Sequence, residues 1–300
     1  MQQTTERAAS LAPSALRFPN SRCNPRSIHR EGGSSGSTSQ AGEVFDLEVL
    51  VPVHPEGRWL ERLEMFRRFG LLNIGRARVR VVLLAGTFEV EEGDWDGVEQ
   101  VIVLNGESDH PARKIYASYH AMTLRDLGSA RWFLRVDDDS VTDVGGLLSH
   151  LDGSCDWREP HHLIGHLCSE VNPAYEKMLR QVGAGHLLCP RGRALASHEW
   201  EVSLTSQPAM LRALSHPQAR ELLSQAADYE GGFGDRCLAL CHRLAGLFPE
   251  PASFLSSFEH LDDFSLWGGG LFHIHYLSPD KPSEWARFMD KLYQFGIERP

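Results

Sequence analysis

Lysine is scarce in this chain. Four of its 30 basic residues are Lys, at 114, 177, 281 and 291, and the other 26 are Arg. That bias fits a GC-rich genome and carries no chemistry by itself. Acidic residues number 40, so the formal net charge is −10. Such a surface lacks the basic footprint that nonspecific binding to nucleic acid or anionic lipid requires. Cysteine is sparse, at 23, 155, 168, 189, 237 and 241, and no two form CxxC. Cys237 and Cys241 lie four apart in a segment that reads as helix, with no second metal-like pair beside them. This argues against a zinc knuckle and for small buried thiols in a reducing compartment. No stretch approaches the roughly 20 apolar residues of a membrane span. The best apolar run, from Val81 to Phe88, is eight long and reads as a strand. No apolar h-region follows Met1, so no secretory signal is expected and the simplest location is the cytoplasm. G-x-G-x-x-G, P-loop, G-x-S-x-G and H-E-x-x-H patterns are all missing, so nucleophilic Ser or Cys catalysis has no anchor.

What is present fits a globular enzyme-sized chain. Its 300 residues allow one large domain or two modest ones, at roughly 100–200 residues each. Hydrophobic residues at 42% and charged residues at 23% exclude collagen-like, coiled-coil and wholly disordered readings. Residues 1–43 differ from the rest: they are rich in Ser, Gly, Pro, Thr and Gln and lack apolar periodicity. They cannot bury enough surface to offset ordering entropy and read as a disordered tail. An organelle transit leader is the alternative, weakened by Glu6 and the early Pro.

From Phe45 the pattern becomes α/β. Phe45 to Val53 is an apolar run of the kind found in buried strands. Trp59, Leu60, Leu63, Phe66 and Phe69 recur at helical spacing over 58–70. Val79 to Ala85, Glu99 to Leu104 and Trp132 to Val136 read as strands, and 111–127 as a helix between Pro111 and Gly128. Strands alternating with helices predict a mostly parallel sheet covered on both faces. The second half is less regular. It predicts strands at 163–168, 185–189 and 271–276, and helices at 191–199, 208–226, 235–244 and 282–295.

Three constellations could carry chemistry. The sharpest is Asp137-Asp138-Asp139 at the end of a buried strand. Adjacent carboxylates repel, and without a counter-ion one tends to stay protonated. A divalent cation resolves this, and Mg²⁺ or Mn²⁺ commonly bridges protein carboxylates to substrate phosphates. The competing reading is a solvated turn, with Asp139 or Ser140 capping a helix over 141–151. The second is His273-Ile-His275. Residues i and i+2 of a strand share a face, so both imidazoles could address one metal. A satisfied core His beside a surface His is the plainer alternative. The third is Asp235 after Gly231-Gly-Phe-Gly234, either a helix N-cap or a general base on an adjustable loop. Asp228 and Glu230 are nearby candidates for the same role. His161, His162 and His166 make a much weaker zinc reading.

The order of these parts resembles the GT-A-fold glycosyltransferases, within them the fringe-like and β1,3-galactosyltransferase-like group. The resemblance runs over residues 45–276. It rests chiefly on Trp132-Phe-Leu-Arg-Val-Asp-Asp-Asp139 and Phe272-His-Ile-His275. More loosely it includes Lys114 to Met122, Gly185 to Cys189 and Gly234-Asp235. It implies one GT-A-like domain over 44–300, with a nucleotide-sugar-binding half at 44–153 and an acceptor-binding half at 154–300. It implies Asp137 near the donor's ribose or uracil, Asp139 on a Mn²⁺ or Mg²⁺ ion, and Asp138 between them. Asp137 is a further candidate ligand, and His273 or His275 would complete the shell. Lys114 would reach the diphosphate, His54 would lie near the nucleotide, and Asp235 would be the base. The implied activity moves a hexose or N-acetylhexosamine from a nucleotide sugar, UDP-linked by expectation, to a hydroxyl acceptor with inversion. The acceptor would be a glycan, glycolipid or protein. The group's membrane anchor and secretory disulfides have no counterpart here, which suggests a soluble relative. Rival readings are a nucleotidyltransferase or phosphoester hydrolase using the same residues, and a sugar- or nucleotide-binding protein without catalysis.

Overall fold

Phe45–Pro52 forms strand β1 at the centre of a seven-stranded sheet. Its apolar run is explained by burial on both faces: Leu47, Val49 and Val51 on one side, Glu48 and Leu50 on the other. The buried charge in that run, Glu48, is paired: Arg80 Nε on the neighbouring strand donates to it at 2.6 Å. The computed structural model describes residues 44–53, 55, 58–105, 130–165, 202–218, 241–255 and 270–274, and single positions 177, 180, 181, 183, 185 and 290.

After β1 the chain makes helix α1 (Trp59–Met65), continued by one π-helical turn (Phe66–Gly70) into the short strand β2 (Leu71–Leu72). Strands β3 (Val79–Ala85), β4 (Gln100–Asn105) and β5 (Ala130–Val136) follow. Next come β6 (Val141–Asp143), helix α2 (Val144–Ser154) and β7 (His162–Ile164). Strand β8 (Val202–Ser206) leads straight into helix α3 (Gln207–Ser215). Strands β9 (Glu250–Pro251) and β10 (His273–Ile274) complete the described elements.

The main sheet runs β4-β3-β1-β5-β8-β7-β9. The first four strands are parallel; β8 is antiparallel to both β5 and β7, and β9 is parallel to β7. The result is a mostly parallel mixed sheet flanked by helices. Leu63 and Phe66 of the α1 segment join Val144, Leu147 and Leu151 of α2 in one core with Leu47, Val49, Leu134 and Val136. Helix α3 packs against β5 and β8.

Several sequence expectations need correction. Leu60, placed on the apolar stripe of α1, is 63% exposed. The expected helix over 141–151 is instead a strand, β6, and a helix that begins only at Val144. Its N-cap is Asp143, whose carboxylate accepts from Gly146 N, so neither Asp139 nor Ser140 plays that part. The expected helix over 208–226 breaks after Ser215. His216 precedes Pro217, and a residue before proline is pushed to extended backbone, here φ −70° and ψ 124°. Strands β2, β6, β8 and β9 were not anticipated; all but β8 are too short for periodicity to reveal. The tail at 1–43, the segments at 111–127, 186–199 and 282–289, and residues 166–168 lie outside the described residues.

A second sheet, β10-β6-β2, sits where the chain leaves β5. Two glycines at the start of α2 permit it. A Cβ on Gly145 would lie 2.4 Å from the Asn73 carbonyl oxygen, and one on Gly146 would lie 2.8 Å from the Phe272 ring. Glycine costs a helix about 1 kcal/mol per site relative to Ala, so this close approach is the physical reason for the pair. Gly145→Ala should destabilise the fold by roughly 1–3 kcal/mol, since backbone must move to admit the methyl. Urea unfolding tests this: a midpoint equal to wild type would show that β2 and α2 are not clamped together there.

Candidate functional site at the β1–β5 crevice

Strand order reverses at β1: β3 and β4 lie to one side and β5 to the other. In open α/β sheets that switch point, at the carboxyl ends of the strands, is where ligands bind. Asp137, Asp138 and Asp139 leave the carboxyl end of β5 at this position. β5 is mostly apolar along its buried length, Arg135 being the buried exception, and its carboxylates follow in the turn after Val136.

Two arginines meet the carboxylates. Arg135 Nη2 donates to Asp137 Oδ1 at 2.8 Å. Arg62 Nε, from α1, donates to Asp138 Oδ1 at 3.3 Å. Part of the like-charge repulsion expected to require a metal is therefore answered by the protein itself. The three carboxylates also differ in setting. Asp137 is partly exposed, whereas the Asp138 side chain is 6% exposed and turned into the protein. Burial pushes the Asp138 carboxyl up to about 7; Arg62 opposes the rise, and the charges on Asp139 and Asp137 add to it.

The chain then enters β6, and β10 pairs with it antiparallel, His273 opposite Thr142. His273 is fully buried, and its Nδ1 lies 2.9 Å from Thr142 Oγ1, with donor and acceptor set by the tautomer. Phe272 anchors the strand: its carbonyl accepts from Asp143 N at 2.8 Å, and its amide donates to Phe254 O at 2.9 Å. The fold thus brings His273 next to the strand that begins two residues after Asp139. His275, Asp235, Asp228, Glu230, Lys114 and His54 lie outside the described residues, as does His166. His162 sits elsewhere, on β7, with His161 just before it. His162 stacks on His242 with ring centroids 3.9 Å apart, and His161 packs against Trp132.

The donor chemistry suits a divalent cation. Asp138 Oδ2 and Ser140 Oγ, on either side of Asp139, are buried without a hydrogen-bond partner among the described residues. Hard cations take oxygen donors of this kind, and carboxylate with imidazole is a mixed set that Mn²⁺ accepts. Among the described residues, no group of three or more His, Cys, Asp or Glu converges as a ligand set. Nor is any helix among them long and apolar enough to cross a membrane.

Sequence reasoning passed over Arg62, Arg135 and Thr142. Arg135 carried a signal, because a charge inside a buried strand needs a partner. Arg62 carried one too: no acid stands three or four residues from it on α1, so a local helix pair is impossible.

The Asp138 shift makes a stability prediction for metal-free protein. The folded state holds this proton more tightly than the unfolded chain, whose carboxyl titrates near its ordinary 3.8. Stability from this group is whole below about pH 4 and is lost as pH rises to about 7. In EDTA, Asp138→Asn should melt above wild type at pH 8, by on the order of 5 °C, and level with it at pH 4. A variant that melts lower at pH 8 would show that the ionised carboxylate supports the fold. No protein-family model matches this chain, and no curated protein matches it.

Proposed function

We propose that this chain is a metal-assisted glycosyltransferase with a GT-A-like fold. It would move a hexose or N-acetylhexosamine from a UDP-linked donor to a hydroxyl acceptor. The observation that carries the reading is one juxtaposition: the strand of His273 pairs with the strand that follows Asp137-Asp138-Asp139, at the sheet's switch point. A strand pairing of this sort is not needed for a solvated turn. It supports a mixed carboxylate and imidazole site facing a nucleotide crevice.

Asp139 and His273 would hold the ion, with His275 and Asp137 as further donors. When bound, Mn²⁺ or Mg²⁺ supplies Lewis acidity and charge neutralisation toward a diphosphate leaving group. Asp137, fixed by Arg135, would orient the donor's ribose or uracil. Lys114 and His54 would flank the diphosphate and the nucleotide. Asp235 would accept the proton of the acceptor hydroxyl as it attacks the anomeric carbon. Attack from the face opposite the leaving group inverts that centre.

Calorimetry with UDP tests the site. Wild type should bind UDP with Mn²⁺ present and lose binding in EDTA, and Asp139→Ala should weaken binding at least tenfold. Metal-independent binding, or full binding by Asp139→Ala, would remove the nucleotide from this turn and favour a binding protein. Asp235→Asn should keep UDP binding within threefold and lose turnover of UDP-hexoses. Undiminished turnover would leave Asp235 without its assigned role.

A further inference from the structure

Arg62 joins its segment to a distant part of the chain. Arg58 pairs with Glu61, and Arg67 and Arg68 pair with Glu64, all at helical spacing. Arg62 instead reaches 76 residues along the chain to Asp138. Both side chains are largely removed from water, at 13% and 6% exposure. Buried ion pairs contribute little net stability, because desolvation offsets the attraction. Their better-attested effect is to fix geometry.

The geometry here is specific. α1 follows the carboxyl end of β1, and Asp138 follows the carboxyl end of β5. β1 and β5 are neighbours, and the switch point lies between their carboxyl ends. The Arg62–Asp138 bond therefore links the helix after β1 to the turn after β5. Asp138 is the middle residue of its turn, so restraining it restrains the residues on both sides. Asp137 is held separately by Arg135.

From this clasp we propose that Arg62 is a positioning residue of the nucleotide site: acting through Asp138, it sets the Asp137–Asp139 turn for binding Mn²⁺ and a nucleoside diphosphate. The inference rests on the glycosyltransferase reading and deepens it. Arg62 acts on the turn through its bond to Asp138. The two residues should then behave as a unit, and their substitutions should not add.

The experiment is a double-mutant cycle on full-length protein, read by calorimetry of UDP in excess Mn²⁺, with circular dichroism confirming the fold. Arg62→Met should weaken UDP binding about tenfold. Asp138→Leu, which removes the acceptor, should do the same, and the double variant should be no worse than either. Asp138→Asn, whose amide oxygen can still accept from Arg62 Nε, should lose less binding than Asp138→Leu. If Arg62→Met does not fold, Arg62→Gln and Arg62→Lys complete the cycle, with smaller losses that still fail to add to that of Asp138→Leu. Losses that add, or an Arg62 variant binding as wild type does, would overturn the inference while the site reading stands. Wild type that binds no UDP with Mn²⁺ would overturn both.

Discussion

Three consecutive carboxylates at the mouth of a buried strand are an electrostatic problem that the surrounding structure is arranged to contain. β5 is enclosed by β1 on one edge and β8 on the other, and its carboxylates emerge where the strand ends. Arg135 lies within β5 and secures the first carboxylate. Arg62 comes from the helix after β1 and secures the second. The pairing differentiates three chemically identical side chains. Asp137 is partly open, Asp138 is buried on an arginine, and Asp139 has a buried Oδ1. Burial raises the Asp138 carboxyl above its ordinary value.

The second sheet extends the same logic. β6 is three residues long and could not persist as an isolated strand; β2 and β10 complete it from both sides. Its buried polar groups are satisfied across strands. Thr142 meets the ring of His273, and Asp143 accepts from Gly146 N and from Asn73. Asn73 adopts φ +54°, a left-handed conformation that asparagine tolerates better than most residues. Gly145 and Gly146 let the loop of Asn73 and the ring of Phe272 approach α2. Low helix propensity at the start of α2 is thus exchanged for a close joint beside the carboxylate turn.

Much of the fold was legible along the chain. The apolar runs of β1, β3 and β5 needed no context, because a strand buried on both faces is predominantly apolar. β3 matches its expected bounds, and β4 shifts by one residue. Elements whose existence depends on a partner were not legible. β2, β6 and β9 are two or three residues long, below the length at which alternation can be recognised. β8 reads as Val-Ser-Leu-Thr-Ser, with hydroxyl residues between apolar ones. It becomes a fully buried strand because Thr205 bonds to His162 and Ser206 bonds to the Glu159 and His161 segment.

By itself the sequence determined the α/β class, the parallel core and the three carboxylates at the end of a strand. These follow from local composition and from periods of two and 3.6 residues. The tertiary structure alone decided which side chains meet those carboxylates. Arg62 lies 76 residues from Asp138, and His273 lies 131 residues from Thr142. No periodicity spans such distances, because what joins these residues is the order of strands in two sheets and the burial that makes each polar group find a partner.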